Sequence, residues 1–251
     1  MRVGTRQSTG TPLLLLNGIG ASSELLEPLI EAMPDVHLIT IDIPGTGGSS
    51  GPFFFMSMSS YADLVAKVLL RLRYFRVCVM GISWGGALAQ EFAVRFKSMC
   101  LRLVLAATNT GLIGAVPPTL SVLASLTNPL HYVSSGRMLD AAHKFYGGVL
   151  RDNKSLARAY GKKMIPRDRC GYISQLIAFF TWTGFFSLPK IRQPTLVLSG
   201  VDDPVVPPLN ARLLAMRLPS AKLQFYPCGH LFFLTQAELV GREVTKFLRA
   251  V

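Results

Sequence analysis

Acidic side chains are scarce in this chain: 14 of its 251 residues are Asp or Glu, against 26 Lys and Arg, which leaves a formal net charge of +12. Charged residues of both signs make up only 16% and hydrophobic ones 50%, a balance that excludes an intrinsically disordered chain. Cysteine is rare, and Cys78, Cys100, Cys170 and Cys228 are scattered singly. That spacing excludes a CxxC zinc site and a disulfide scaffold, and it predicts a reducing, cytoplasmic setting. No repeat of fixed period occurs, which excludes solenoids and propellers. Long apolar runs are also missing. The longest, Ile173 to Leu188, is broken by Ser174, Gln175, Thr181 and Thr183 and falls short of the roughly 18 to 20 residues a membrane span requires, so no transmembrane segment is expected. Arg2 and Arg6 precede only four leucines, Leu13–Leu16, too few for the apolar region of about 7 to 15 residues in a signal peptide.

What is present is alternation. Short apolar runs recur at Leu13 to Leu16, Val36 to Ile41, Val77 to Met80, Leu101 to Ala106, Thr195 to Leu198 and Leu223 to Tyr226, and they read as buried parallel strands. Helix-length segments lie between most of them: Leu25 to Met33, Ser59 to Arg73, Gly85 to Phe96 and Leu209 to Leu218, with Leu239 to Leu248 closing the chain. Strand and helix in alternation predict an α/β fold with a doubly wound, mostly parallel sheet. The alternation fails between Thr108 and Pro189, where Pro117, Pro118, Pro129 and Pro166 interrupt patchy helical patterning. A helical cap inserted after a core strand is expected there, giving a core over 1–108, a cap over 109–189 and the rest of the core over 190–251. From Arg137 to Arg169 the cap carries nine cations against three aspartates, half of the net charge.

Nucleophilic chemistry is suggested by Gly81-Ile82-Ser83-Trp84-Gly85, which has the G-x-S-x-G spacing of a strained strand-to-helix turn that exposes a serine hydroxyl. Gly47-Gly48-Ser49-Ser50-Gly51 has the same spacing. Only Ser83 follows a strand and opens a helix; Ser49 sits in a glycine-rich loop. A serine hydroxyl needs a base to take its proton and an acid to orient that base. Of four histidines, His37 falls inside an expected strand and His131 and His143 in the cap, whereas His230 follows the last strand, at the carboxyl edge where open α/β sheets place their sites. Gly200-Val201-Asp202-Asp203-Pro204 follows another strand at the same edge and offers the acid, so the chain order is Ser, Asp, His. Asn17-Gly18-Ile19-Gly20 follows the first core strand and fits an oxyanion loop, with the main-chain N–H groups of Ile19 and Trp84 as donors. Asp42 to Ser49 reads as a loop shaping the site. No metal or organic cofactor is required by this chemistry.

Taken together, Asn17-Gly18-Ile19-Gly20-Ala21, Pro44-Gly45-Thr46-Gly47-Gly48-Ser49-Ser50, Ser83-Trp84-Gly85-Gly86-Ala87-Leu88-Ala89-Gln90, Leu103 to Thr108, Tyr146-Gly147-Gly148, Gln193 to Leu198 and Gly229-His230-Leu231-Phe232 resemble the α/β-hydrolases. Within them they look like the intracellular medium-chain-length poly(3-hydroxyalkanoate) depolymerases, from about Leu13 to Leu248 and including the cap. The resemblance puts the nucleophile on Ser83, the acid on Asp203 and the base on His230. The chain starts almost at its first core strand, so the family's N-terminal hairpin is expected to be shortened. Cys228 stands where a polar or acidic neighbour is expected.

That resemblance implies cleavage of medium-chain polyester, whose alkyl branches need an apolar pocket. Leu112, Ile113, Val116, Phe179, Phe180, Trp182 and Phe185 are the candidates to line one between cap and sheet. The basic, aromatic cap suits attachment to an anionically coated granule. Two other readings use the same residues: a general carboxylesterase or lipase-like enzyme, and a carbon–carbon bond hydrolase. A basic binder of nucleic acid is disfavoured, because no recognition motif accompanies the charge and a binder has no use for a triad.

Overall fold

In a computed structural model of the chain, which describes residues 1–120, 122, 146–163 and 168–250, the apolar runs become the strands of one sheet. β1 (Val3–Arg6), β2 (Leu13–Leu16), β3 (Leu38–Ile41), β4 (Val77–Ile82), β5 (Cys100–Ala106), β6 (Thr195–Gly200) and β7 (Ala221–Tyr226) stand in the order β1-β3-β2-β4-β5-β6-β7. All pairings are parallel except β1 with β3, which is antiparallel from Val3 opposite Ile41 to Arg6 opposite Leu38. His131, His143, Pro129, Pro166 and the charges Arg137, Asp140, Lys144 and Arg167 lie outside the described residues.

The central strands β2, β3, β4 and β6 are buried on both faces, which is why they are almost continuously apolar rather than alternating, whereas the edge strands β1 and β7 carry exposed residues. Period-two geometry then sorts each strand between two cores. Leu14 and Leu16 join Ile39, Ile41 and Val79 under α2 (Met58–Arg71) and α3 (Trp84–Arg95), while Leu13 and Leu15 join Leu38, Met80 and Phe232 on the other face. Each of these leucines of β2 is at most 1% exposed and contributes about 1.5–3 kcal/mol by burial. Helix α2 is N-capped by Ser57, whose hydroxyl accepts the Ser60 N–H at 3.1 Å, and its buried face is Met58, Tyr61, Ala62, Val65, Ala66 and Leu69. The closing helix Ala237–Arg249 buries Val240, Gly241, Val244 and Phe247 at the same helical spacing.

Two expectations are corrected. His37 lies just before β3 rather than inside a strand, and its ring bonds Tyr74 Oη at 3.1 Å. Strand β1 was not expected, since Val3-Gly4-Thr5-Arg6 has no apolar pattern and its two middle residues are exposed. It is held by ladder bonds and by Arg6, whose guanidinium donates to the carbonyls of Ile30 at 2.7 Å and Val36 at 3.2 Å and also to that of Met33, around the end of α1 (Glu27–Glu31).

Between β5 and β6 the described residues carry α4 (Val149–Asp152), α5 (Lys154–Lys163) and α6 (Arg169–Phe180). Among the described residues no helix is long and apolar enough to cross a membrane. The chain proceeds from β2 to β3 on one side and then to β4 on the other, so the order in which strands are laid down reverses between β2 and β4. Open α/β sheets have their crevice at such a switch point, and both strands end here in the glycine-rich segments singled out above.

Candidate active site

The turn from β4 to α3 is strained in one residue. Ser83, half-buried, has φ +54° and ψ −117°, a conformation that costs a residue with a Cβ about 1–3 kcal/mol. Its neighbours explain why the turn needs glycine on both sides. A Cβ at Gly81 would collide with the Gly85 carbonyl and come within 2.7 Å of Ala89 Cβ, and one at Gly85 would overlap the carbonyls of Leu16 and Asn17. The Ser83 main chain is pinned by its N–H to Ala106 O at 2.9 Å and by Thr108 Oγ1 donating to its carbonyl at 2.7 Å. Ser49, the other G-x-S-x-G serine, is buried: its hydroxyl donates to Asp42 O at 2.7 Å and accepts the Arg2 N–H at 2.8 Å. Asp42 itself takes the N–H groups of Ser23 at 2.8 Å and Gly48 at 3.1 Å. That loop is held together by these bonds.

Beyond β6 and β7 the structure brings Asp203 and His230 together, with His230 Nδ1 2.7 Å from Asp203 Oδ2 and both residues under 5% exposed. The other carboxylate oxygen accepts the N–H groups of Val205 at 2.9 Å and Val206 at 2.8 Å, so the buried charge is fully satisfied. With Nδ1 engaged, Nε2 is the ring nitrogen left for proton exchange.

Asp202 turns away from its neighbour. Its carboxylate accepts the Gly148 N–H at 2.7 Å and pairs with Arg151 Nη2 at 2.7 Å, while Tyr146 O accepts the His230 N–H at 2.6 Å. Tyr146-Gly147-Gly148 thus forms a wedge between the acid loop and the histidine loop. A Cβ at Gly147, whose φ is +61°, would collide with Asp202 O and Pro204, and one at Gly148, whose φ is +55°, would collide with Gly229 N. Cys228 joins the same seam: it is buried, its carbonyl accepts the Asp202 N–H at 3.1 Å, and its Sγ lies 3.0 Å from Thr235 Oγ1.

The segment after β2 lies against the serine, since a Cβ on Gly18 would sit 3.7 Å from Ser83 Cβ. Asn17 shapes it, accepting the Gly18 N–H at 2.7 Å and donating from Nδ2 to Ser22 O at 2.7 Å. Among the described residues, neither the Ile19 N–H nor the Trp84 N–H donates a hydrogen bond. The Trp84 amide belongs to the first turn of α3, where partner-free N–H groups and the helix dipole favour negative charge.

Gln175, on α6, was not anticipated. It is 1% exposed; its Oε1 accepts the Gly20 N–H at 2.9 Å, its carbonyl accepts Trp84 Nε1 at 2.8 Å, and its Nε2 donates to Pro44 O at 3.3 Å. One side chain therefore ties the segment after β2 and the loop after β3 to the helix that bears it, and its main chain holds the Trp84 ring. The only sequence signal for it was its polarity inside the apolar run from Ile173. For Tyr146 and Gly148 the signal was the paired glycines, but no role followed from them.

The expected pocket-lining residues do not act alike. Trp182 is a core residue, 8% exposed, with Nε1 donating to Glu91 Oε2 at 2.9 Å: a buried indole N–H needs a partner, and this one finds it on α3. Phe179 packs against the same core. Phe185 lies under the Arg217 guanidinium at 4.0 Å. Val116 is tied through its N–H to Asn210 Oδ1 at 2.7 Å. Leu112 and Phe180 are 66% and 62% exposed, and Ile113 is exposed as well.

The family described as the alpha/beta hydrolase fold matches residues 11–237. A poly(3-hydroxyalkanoate) depolymerase of Ectopseudomonas oleovorans is 45% identical over 240 residues, 95% of this chain and 84% of that protein. A 2-hydroxy-6-oxo-2,4-heptadienoate hydrolase of Pseudomonas putida is 28% identical over 263 residues, 96% of this chain and 90% of that protein. Among solved structures, the enol-lactonase from Burkholderia xenovorans superposes with a TM-score of 0.84 at 20% identity, covering 99% of this chain and 95% of its own, a likeness of fold.

Proposed function

As the chain belongs to the α/β-hydrolase family, we propose that it is a serine hydrolase that cleaves the ester bonds of a poly(3-hydroxyalkanoate), with medium-length side chains, through an acyl-enzyme. The observation that carries the substrate is the 45% identity to the Ectopseudomonas oleovorans depolymerase over 95% of this chain, which includes the segment between β5 and β6. Residues 109–189 act as the cap, where hydrolases of one fold differ most in what they admit.

In this reading Ser83 Oγ attacks the ester carbonyl carbon and gives its proton to His230 Nε2. Asp203 holds the ring through Nδ1 and stabilises the imidazolium, consistent with their 2.7 Å contact. The carbonyl oxygen takes up the negative charge and is met by the N–H groups of Ile19 and Trp84, which are fixed before substrate arrives and need no reorganisation. Collapse of the tetrahedral intermediate breaks the bond to the next repeat unit, whose alkoxide leaves with the proton from His230. Water, deprotonated by His230, then attacks the acyl carbon and frees the carboxylate end together with Ser83. Candidates named above, Phe179 and Val116 among them, receive the alkyl branch.

The substrate is a storage polyester inside the cell, and the chain works at the granule surface. Four free cysteines, three of them buried, support a reducing setting. The test is to incubate purified protein with amorphous medium-chain polyester and measure released 3-hydroxy acids. Release that disappears in Ser83→Ala supports the reading; hydrolysis of p-nitrophenyl esters alone leaves a plain esterase. The Pseudomonas putida relative favours one other reading, a carbon–carbon hydrolase, which turnover of a vinylogous 1,5-diketone without polyester cleavage would establish.

A further inference from the structure

The loop from β3 to α2 carries three consecutive phenylalanines in water. Phe53 is 100% exposed, Phe54 86% and Phe55 67%. Scattered exposed apolar residues are ordinary, but three large rings in a row at a loop tip are not. We propose that Phe53-Phe54-Phe55 is the element by which this protein docks on the amorphous apolar polyester that it cleaves, an inference that rests on the polyester reading above.

The tip stands on an anchored base. Before it, Gly45 N–H bonds Ser50 O at 3.1 Å and Ser49 is fixed to Asp42; after it, the Met56 N–H donates to Ser174 Oγ at 3.1 Å. Ser174 also accepts from Tyr61 Oη at 3.0 Å, and Gly51 abuts the Asp168 carboxylate that caps α6. The base also leads directly to the reaction centre. Pro44 O and the Gly20 N–H are held by the same Gln175 side chain, and Gly20 is two residues from Gly18, which faces Ser83. The loop follows β3 at the carboxyl edge of the sheet, as Ser83 follows β4, so docking through this tip brings Ser83 to the phase boundary.

Shape, area and charge argue for a polymer phase. Successive side chains project in different directions, and all three rings are wet, so they form a spike; a shapeless apolar phase can enclose every side of it. Three phenylalanines present about 450–750 Å² at 150–250 Å² each. That is less than the roughly 800 Å² per partner of a stable protein interface, which argues against a second copy of the chain. No charge occurs from Gly47 to Ser57, while the chain as a whole carries +12. Each ester cleaved leaves a carboxylate at the polymer surface, which attracts the cationic body behind the uncharged tip.

The test compares the wild type with the triple variant Phe53→Ser, Phe54→Ser, Phe55→Ser on surfactant-free amorphous poly(3-hydroxyoctanoate) particles. The rings are exposed, so thermal midpoint and kcat/KM on a soluble p-nitrophenyl ester are expected within twofold or a few degrees of wild type. Adsorption to particles and release of 3-hydroxy acids are expected to fall at least tenfold. Unchanged adsorption by a folded variant overturns the proposal. So does a loss confined to phosphatidylglycerol vesicles, which would make the occupant a lipid surface, or a wild-type dimer that the variant dissolves, which would make it a second copy. If wild type adsorbs through these rings yet releases no acids while cleaving soluble ester, the polyester reading fails and the docking inference stands.

Discussion

Replacing Ser83 by glycine should stabilise the protein relative to replacing it by alanine, although both variants lose the proposed nucleophile. At φ +54° and ψ −117° the Cβ of residue 83 is crowded by its own backbone, which costs about 1–3 kcal/mol and is retained in Ser83→Ala. Ser83→Gly removes that strain but gives the unfolded chain more freedom, about 0.4–1 kcal/mol against it. The net gain over alanine is roughly 1 kcal/mol, at most about 2.5. For a chain of this size 1 kcal/mol corresponds to about 2–4 °C in melting midpoint. Urea denaturation of the two variants, followed by circular dichroism with a shared m value, measures the difference free of any catalytic effect. Glycine clearly less stable than alanine would refute the claim that this turn stores strain.

Other expected outcomes concern the residues around that turn. Asp203→Asn should lower kcat by about three to four orders of magnitude, because the amide cannot stabilise the imidazolium. Asp202→Asn, whose charge pairs with the half-exposed Arg151, should stay within about tenfold; the reverse ranking in a steady-state assay would exchange the two roles. Gln175→Leu leaves the Gly20 N–H without its partner and loosens the segment proposed as the oxyanion loop, so kcat should fall about tenfold or more with little change in KM, read on a soluble ester. Stability should decline as pH rises above about 9. Burial pushes the Cys78 thiol up to about 11 against the nearby Arg102, and burial with the charge of Glu243 takes Tyr226 up to about 12, so the folded state keeps protons that the unfolded chain releases near 9 and 10. A urea midpoint constant from pH 8 to 11 would contradict this. In the same folded protein at pH 8, a thiol reagent should titrate one fast cysteine, the exposed Cys170, and reach all four only after denaturation.

How much of this could be read from the chain alone divides along physical lines. Strands β2, β4, β5 and β6 were legible because parallel strands buried on both faces must be continuously apolar, and Leu13–Leu16 or Leu103–Ala106 admit little else. Ser83, Asp203 and His230 were legible as candidates because each follows such a strand and is marked by glycine or proline in a turn, signals contained within five residues. Strand β1 was not, because what holds it is an antiparallel ladder and the reach of Arg6 to carbonyls 24 and 30 residues away. The same holds for the bond from Gly20 to Gln175, 155 residues apart, and from Gly148 to Asp202, 54 apart. The sequence by itself determined the fold class and the chemistry on offer, since hydrophobic period and turn residues are local properties. Only the tertiary structure decided that Trp182 belongs to the core and that Gln175 and Tyr146 hold the site in place, because a hydrogen bond between distant residues leaves no periodic trace in either of the segments it joins.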